Sequence, residues 1–419
     1  MKAVGIIAEY NPFHNGHAYQ IRRAKEITGA DCAVAVMSGD FVQRGEPAVL
    51  DKYTRTRMAL LGGADAVFEL PAVYATAASR DFAAAGCAAL EAAGCAYLCF
   101  GTDGGTPEEL RRAAEALADE PDPFREVLRE HLKNGETYAA AEAAALKACG
   151  ASLPACGPNS RLAVEYLRAV RVYGFSLQPA AVRRSGQDYA SGELSVNRDG
   201  SEDGAPGGTV FPSALSLRNE MKKNGEKTDY SPYIPKEALS VFREACRQKR
   251  FLFPEDFADL LNYAILLCPH PEQAAGFTPE LAARLMAAGP GPRTPEQWTA
   301  LLKTRNVTQT RVSRALTHLL LGITGEDAGK PGAGGPERLV PYLRLLGFRR
   351  EASPFLAGLR KNCPVPVINK VADAAAKLDS RAARCFSADL RAAELYRQVL
   401  YRKSGVLIPD EYRAGVVIV

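Results

Sequence analysis

Four apolar runs of strand length, KAVGIIAEY, CAVAVM, DAVFELP and CAYLCFG, follow one another within the first hundred residues, separated by stretches of helical period. This alternation constrains the fold more than any other feature of the chain. Strands that read as continuous apolar runs are buried on both faces, and helices between them are the crossovers that a parallel sheet needs. The expected architecture is therefore α/β: a Rossmann-like domain with a parallel sheet. The intervening helices are GHAYQIRRAKEITGA, YTRTRMALLGG and ASRDFAAAGCAALEAAG, each closed by glycine. In such sheets ligands gather at the carboxyl ends of the strands. The segment around His14, Gly39, the end of DAVFELP and Gly101-Thr102-Asp103 all fall there and are expected to converge.

Residues 107–150 are alanine-rich and helical, SRLAVEYLRAVRVYG is a further amphipathic helix, and LQPAAVRR a further strand. The polar, glycine-rich segment 191–209 is expected to be a mobile loop. FPSALSLRNEM starts a helix that Ser213 or Ser216 could cap. From residue 226 the pattern is mostly helical, broken by a second flexible stretch at 322–338. The expected division is a ligand-binding domain over 1–225 and a mainly α-helical domain over 226–419. Residues 1–225 carry 24 Lys+Arg against 28 Asp+Glu, whereas residues 226–419 carry 28 against 20. The second half is thus a candidate surface for a polyanion. No secretory leader and no apolar run long enough to span a bilayer is read, which argues against a membrane protein. Ten scattered cysteines without a CxxC pair suit a reduced, cytoplasmic chain.

The first strand runs into YNPFHNGH, which holds two of only five histidines. At a strand–helix junction the helix supplies free N–H groups and a partial positive charge, a ready phosphate site. Gly16 allows close approach to the backbone. His14 and His17 add donors that can stabilise charge building on a phosphate as pyrophosphate leaves. Taken alone, HxxH could equally be a chance pair or part of a metal site.

AEYNPFHNGH resembles the HxGH signature of the nucleotidyltransferase superfamily. The longer text, GIIAEYNPFHNGH, VMSGDFVQRGEPAVLDKYTRTRMAL and GADAVFELP, is similar to the bacterial tRNA(Met) cytidine acetate ligase family. The similarity continues in GPNSRLAVEYLRA, VRRSGQDY and DLRAAELY and so spans the chain. The resemblance implies that ATP and acetate give acetyl-adenylate. The acetyl group then passes to the wobble cytidine of elongator tRNA(Met), yielding N4-acetylcytidine.

Carried over residue by residue, His14 and His17 would be catalytic. The ATP-binding stretch would be Ile7, Ala8, Glu9, Tyr10, Asn11, Pro12, Phe13, His14, Asn15, Gly16, His17, Ala18, Tyr19 and Gln20. Gly101, Asn159 and Arg184 would complete it, Arg184 rather than Arg183 because it precedes the S-G-x-x-Y spacing. Asn159 could instead cap the helix that follows it. Ser213, Ser216 and Arg218 resemble the superfamily's second phosphate motif, although Leu215 stands where threonine is expected.

Arg44 and Lys52 are further candidates for phosphate or tRNA contact, and Arg55 and Arg57 are either that or a solvated face. Asp40 either orients a ligand or caps the next turn. The other histidines, His131, His270 and His318, stand apart from any motif. No Cys/His cluster has zinc spacing, so no metal site is expected, and magnesium would travel with the ATP. RNVTQTRVSR, LRLLGFRR and GLRKN place cations beside apolar anchors and are the expected tRNA surface. DNA is not an expected partner. Two rival readings share the histidine motif: a cofactor-building nucleotidyltransferase, and a non-catalytic, nucleotide-sensing RNA-binding protein.

Overall fold

The expected strands form where the apolar runs predict them: Ala3–Ala8 (β1), Cys32–Ser38 (β2), Ala66–Leu70 (β3), Tyr97–Thr102 (β4) and Gln178–Arg183 (β5). A computed structural model describes residues 1–153, 157–183, 194, 211–327 and 335–419. These five strands are parallel and lie in the order β3-β2-β1-β4-β5. The order reverses between β1 and β4, so the crevice above their carboxyl ends is the natural ligand site. Helices Asn15–Thr28 (α1), Lys52–Leu61 (α2), Ser79–Ala92 (α3) and Pro158–Tyr173 (α4) cover the two faces.

Successive strand residues point to opposite faces, and the core divides accordingly. Cys32, Val34, Val36 and Phe68 pack into one apolar cluster, beside residues of α3 and α4. Ala33, Ala35, Met37 and Val67 pack into another, beside residues of α1 and α2. A third, smaller cluster surrounds Trp298 in the helical region and includes Val312 and Leu316 of Gln309–Leu321 (α6, following α5, Ala214–Asn224).

The sheet also draws strands from beyond residue 225, where the sequence suggested a boundary. Leu343–Phe348 (β6) pairs antiparallel with β3, and Val367–Ile368 (β7) and Val417–Ile418 (β8) pair with β6. This corrects one expectation directly. LRLLGFRR was expected on the RNA-facing surface, but β6 is buried and Arg344 is only 4% exposed. Its apolar residues belong to the sheet and Arg344 pairs inward, so of its three arginines only Arg349, half-buried, and Arg350, exposed, stand at the surface.

The inward partner is an ion quartet. Lys52 Nζ lies 2.7 Å from Glu69 and 3.0 Å from Glu411, and Arg344 lies 2.5 Å from Glu411 and 3.5 Å from Glu69. Burial alone would lower the Lys52 pKa, yet Glu411 and Glu69 more than reverse that, and the net shift is upward. The quartet is neutral overall and joins α2, β3, β6 and the C-terminal segment. The long helix Ser380–Ser404 (α7) is fastened nearby. Asp389 accepts from Ala72 N–H at 2.6 Å and from the Tyr342 hydroxyl at 2.5 Å, and the Tyr396 hydroxyl donates to Ala48 O at 2.9 Å.

Removing one member of a buried ion cluster strands the others, at a cost of about 3–5 kcal/mol. Lys52→Met should therefore lower the unfolding free energy by about that amount, read as a fall in the urea midpoint with an unchanged slope. A shift below about 1 kcal/mol would mean that the quartet does not hold the C-terminal segment to the sheet.

Candidate functional site

A cleft of about 240 Å³ opens above the carboxyl ends of β1 and β4. Its floor is the histidine segment. His14 is the N-cap of α1 with extended backbone (φ −148°, ψ 176°). Its Nδ1 accepts the Gly16 N–H at 3.0 Å, while the Nδ1 of His17 accepts the His14 N–H at 3.3 Å. This is a capping box built from two imidazoles. It decides their chemistry, because a ring nitrogen that accepts a hydrogen bond carries no proton, so each neutral ring presents an Nε2–H donor. The rings lie 3.8 Å apart, tilted by 30°. A Cβ on Gly16 would come within 2.9 Å of the His14 ring, so glycine here makes room for an imidazole as well as for a ligand.

The buttress behind His17 is aromatic. Tyr10 adopts φ 48°, a left-handed backbone that costs a non-glycine residue about 1–2 kcal/mol. Its buried ring meets Phe13 and His17 edge-on, with centroids 5.0 and 4.9 Å apart.

Of the expected ATP-binding stretch, Ile7, Ala8, Glu9, Tyr10 and Asn11 line the cleft, as do His14, Gly16, His17, Tyr19 and Gln20. Pro12, Phe13, Asn15 and Ala18 are not among the lining residues: Phe13 is fully buried in the core, and the Asn15 amide donates to Pro232 O at 2.8 Å. Gly101 and Asn159 line the opposite wall. Asn159 stands just inside α4 rather than at its N-cap, which is Gly157. Its N–H and its amide nitrogen both donate to Asp103, at 3.0 and 2.8 Å, which leaves the amide oxygen unpartnered among the described residues. Arg184 lies outside the described residues, and its neighbour Arg183 closes β5 and lines the cleft.

Arg44 and Arg218 line the cleft, and Arg218 also donates to Asn11 O at 2.8 Å. The other phosphate candidates sit elsewhere. Ser213 and Ser216 are buried and fold onto each other, Ser213 Oγ capping α5 by accepting Ser216 N–H at 3.0 Å. Lys52 is 1% exposed within the ion quartet, so its ammonium does not reach a phosphate. Arg55 is neither a ligand contact nor a solvated residue, because it is fully buried and donates to backbone carbonyls. His318 is buried between Thr76 and Ala275 O, at 2.9 Å from each.

The sequence reading passed over Glu46, Gln43, Phe82, Phe100, Tyr166 and Phe211, which also line the cleft. Phe82, Phe100 and Tyr166 occupy apolar positions of a strand and two helices, and Phe211 precedes α5, where nothing in sequence separates a cleft wall from core. Glu46 stands two residues after Arg44 in a short antiparallel ribbon, Phe41–Val42 paired with Glu46–Pro47. Burial raises its pKa, with Arg218 and Arg44 pulling the other way. The arrangement thus combines two imidazoles, a helix N-terminus and three arginines, all suited to a polyphosphate, with carboxylates also in the lining.

Comparison with known proteins accords with this geometry. Residues 1–406 match the family model described as HIGH Nucleotidyl Transferase. The tRNA(Met) cytidine acetate ligase of Acetivibrio thermocellus is 32% identical, with all of both chains covered. That of Syntrophotalea carbinolica is 36% identical over 97% of this chain and 96% of its own. The apo crystal structure of Thermotoga maritima TmcAL superposes with a TM-score of 0.86 at 25% identity, covering 100% of both chains. The same protein bound to alpha-thio ATP superposes at 0.85 with 26% identity and equal coverage.

Beneath the cleft, Asp40 accepts Lys52 N–H at 2.8 Å, so it serves the first residue of α2, beside the N-cap Asp51, rather than the turn that directly follows it. Burial pushes its pKa up to about 7, against the lowering by Lys52 and Arg55. A carboxyl whose folded pKa is raised favours the fold while protonated, and that contribution is lost as pH climbs from about 4 through about 7. Asp40→Asn removes this titration and keeps the acceptor. The unfolding free energy of the wild type relative to the variant should fall by up to a few kcal/mol across that window. Urea melts at successive pH values check this, and parallel curves would show that Asp40 does not titrate there.

Proposed function

The chain belongs to the HIGH nucleotidyl transferase family, in its tRNA(Met) cytidine acetate ligase branch, and from that membership we propose that it acetylates the wobble cytidine of elongator tRNA(Met) through acetyl-adenylate. An acetate oxygen attacks the α-phosphorus of ATP in line, and pyrophosphate leaves. The exocyclic amine of the cytidine then attacks the acyl carbon, and AMP leaves. No covalent protein intermediate is required.

The observation that carries this reading is the reciprocal Nδ1 capping of His14 and His17. It fixes both rings so that, when neutral, each carries its proton on Nε2, without fixed positive charge, at the same helix end whose amides attract phosphate. Such donors strengthen their hold as negative charge accumulates in the transition state. Gly101 and Asn159 on the facing wall suit the nucleoside, with the amide oxygen of Asn159 available to a ribose hydroxyl or the adenine amine. Arg44, Arg218 and the family arginine at Arg184 or Arg183 would hold the triphosphate. Among the described residues no group of three or more His, Cys, Asp or Glu could hold a metal ion. Magnesium, carried in with the ATP, would neutralise charge on the triphosphate.

For the second substrate, the basic portion after residue 226 is the proposed tRNA surface, through the exposed cations Arg305, Arg311, Arg360 and Lys361. The target base would leave the stack of a single-stranded anticodon loop to reach the cleft. Among the described residues no helix is long and apolar enough to cross a membrane, and a cytoplasmic location is proposed with the substrate.

ATP–pyrophosphate exchange without tRNA tests the first half. Wild type should exchange only when acetate is present, and His14→Ala should lose about 10²–10³-fold, the usual effect of deleting a transition-state donor. Exchange that ignores acetate would favour a cofactor-building nucleotidyltransferase. No exchange, even with elongator tRNA(Met) added, would leave only nucleotide binding.

A further inference from the structure

Acetyl transfer needs a proton acceptor as well as donors. The cytosine amine is a weak nucleophile because its lone pair is delocalised into the ring, and it must lose a proton as it becomes an amide. The histidines do not offer one: both Nδ1 atoms accept backbone N–H groups, so in the neutral rings the proton sits on Nε2 and neither nitrogen is a spare acceptor. Asp40 is buried beneath the cleft and bonded to Lys52 N–H, and Asp103 holds Asn159. Glu9 lines the cleft, but one of its oxygens accepts Gln43 N–H at 2.9 Å.

Glu46 differs from all of these. It is half-buried, lines the cleft together with His14 and Arg218, and its carboxylate has no hydrogen bond or ion pair among the described residues. An unpaired carboxylate is an odd component for a cleft that must hold a triphosphate and an acetate, since it repels both. Its presence needs a positive reason.

We propose that Glu46 is the general base of the acetyl-transfer step, accepting the proton of the cytidine exocyclic amine. This rests on the ligase reading above. The amine nitrogen attacks the acyl carbon, forming the C–N bond. The bond from that carbon to the phosphate oxygen breaks, and its electron pair leaves with AMP. The amine proton passes to Glu46 and then to water, which restores the carboxylate.

The mount of Glu46 suits a residue that must meet an incoming RNA. The turn before it is pinned to α6, where Ser313 Oγ and Thr317 Oγ1 donate to Gly45 O at 2.8 and 2.7 Å. Gly45 has φ +73°, and a Cβ there would fall 2.4 Å from Arg314 N, so backbone packs on backbone. The same helix carries Arg311 and Arg314 near its start, with Arg305 just before it. The ribbon therefore stands between the basic stretch 305–314 and the cleft. The charged groups that act on Glu46 are Arg218 and Arg44, which favour its ionised form, and Glu9 and Glu255, which oppose it. With burial the net result is a stronger base than an exposed glutamate.

The two half-reactions separate this role from any other. Wild type, Glu46→Gln and Glu46→Asp are compared in acetate-dependent exchange without tRNA, and in single-turnover transfer from acetyl-adenylate to elongator tRNA(Met). Loss of a general base is expected to slow transfer by Glu46→Gln about 10²–10³-fold. Acetate-dependent exchange by the same variant should persist, which also shows that it is folded. The rise of the wild-type transfer rate with pH should disappear in Glu46→Gln and return in part with Glu46→Asp. Transfer by Glu46→Gln within tenfold of wild type would overturn the assignment. So would equal losses in exchange and transfer, which would make Glu46 a holder of ATP or its magnesium. Absence of acetate-dependent exchange in the wild type would instead defeat the ligase reading itself.

Discussion

The guanidinium of Arg55 is fully buried and directs its donors to four backbone carbonyls: Leu50 O at 2.8 Å, Glu9 O at 2.7 Å, Ser38 O at 3.0 Å, and Gly39 O. Parallel strands end with carbonyls that need partners once they are buried. One planar cation satisfies those at the ends of β1 and β2 together. Burial lowers the Arg55 pKa, with nearby Asp40 pulling it back up. Because Glu9 O is tied down, the left-handed turn at Tyr10 begins from a fixed point, and the two histidines are presented in one place. The geometry of the capping box depends on this tie, although Arg55 does not itself line the cleft.

A second constraint comes from the far end of the chain. β6 and β8 extend the sheet beyond β3, and the quartet of Lys52, Glu69, Arg344 and Glu411 locks them to α2. The helical region around Trp298 is joined to the cleft ribbon through α6 and Gly45. The portion proposed to carry RNA and the portion proposed to carry ATP are thus parts of one packed structure. If RNA binds as proposed, a base presented by the former would meet the latter at a set distance, which favours proximity and orientation over large rearrangement.

Much of this was legible in the sequence. The five parallel strands and the helices between them follow from apolar runs and glycine stops, and the crevice at β1 and β4 follows from the fold they make. The motif at His14 and His17 pointed to the place where the cleft opens. Other features were hidden for physical reasons. Lys52, Arg55 and Arg344 read as surface cations, because sequence shows a charge but not the carboxylates or carbonyls that neutralise it. The strand character of LRLLGF was masked by its flanking arginines, and its partner strand β3 lies more than 270 residues earlier. Glu46 was obscured for the opposite reason: a lone glutamate between two turn residues is unremarkable until a cleft closes around it. Ser213 and Ser216 illustrate a subtler limit, since a serine-rich helix start is the same text whether its hydroxyls face a ligand or cap the helix.

The central claim is that acetate is activated on the α-phosphorus of ATP and nowhere else. Acetate carrying heavy oxygen in its carboxylate tests it most directly, in a reaction with ATP and elongator tRNA(Met) followed by mass spectrometry of the nucleotide products. Acetyl-adenylate leaves one acetate oxygen on the phosphate when the acyl group departs, so the label should appear in AMP, with pyrophosphate unlabelled. Label in inorganic phosphate, accompanied by ADP, would mean attack on the γ-phosphorus and an acyl phosphate, and would contradict the account.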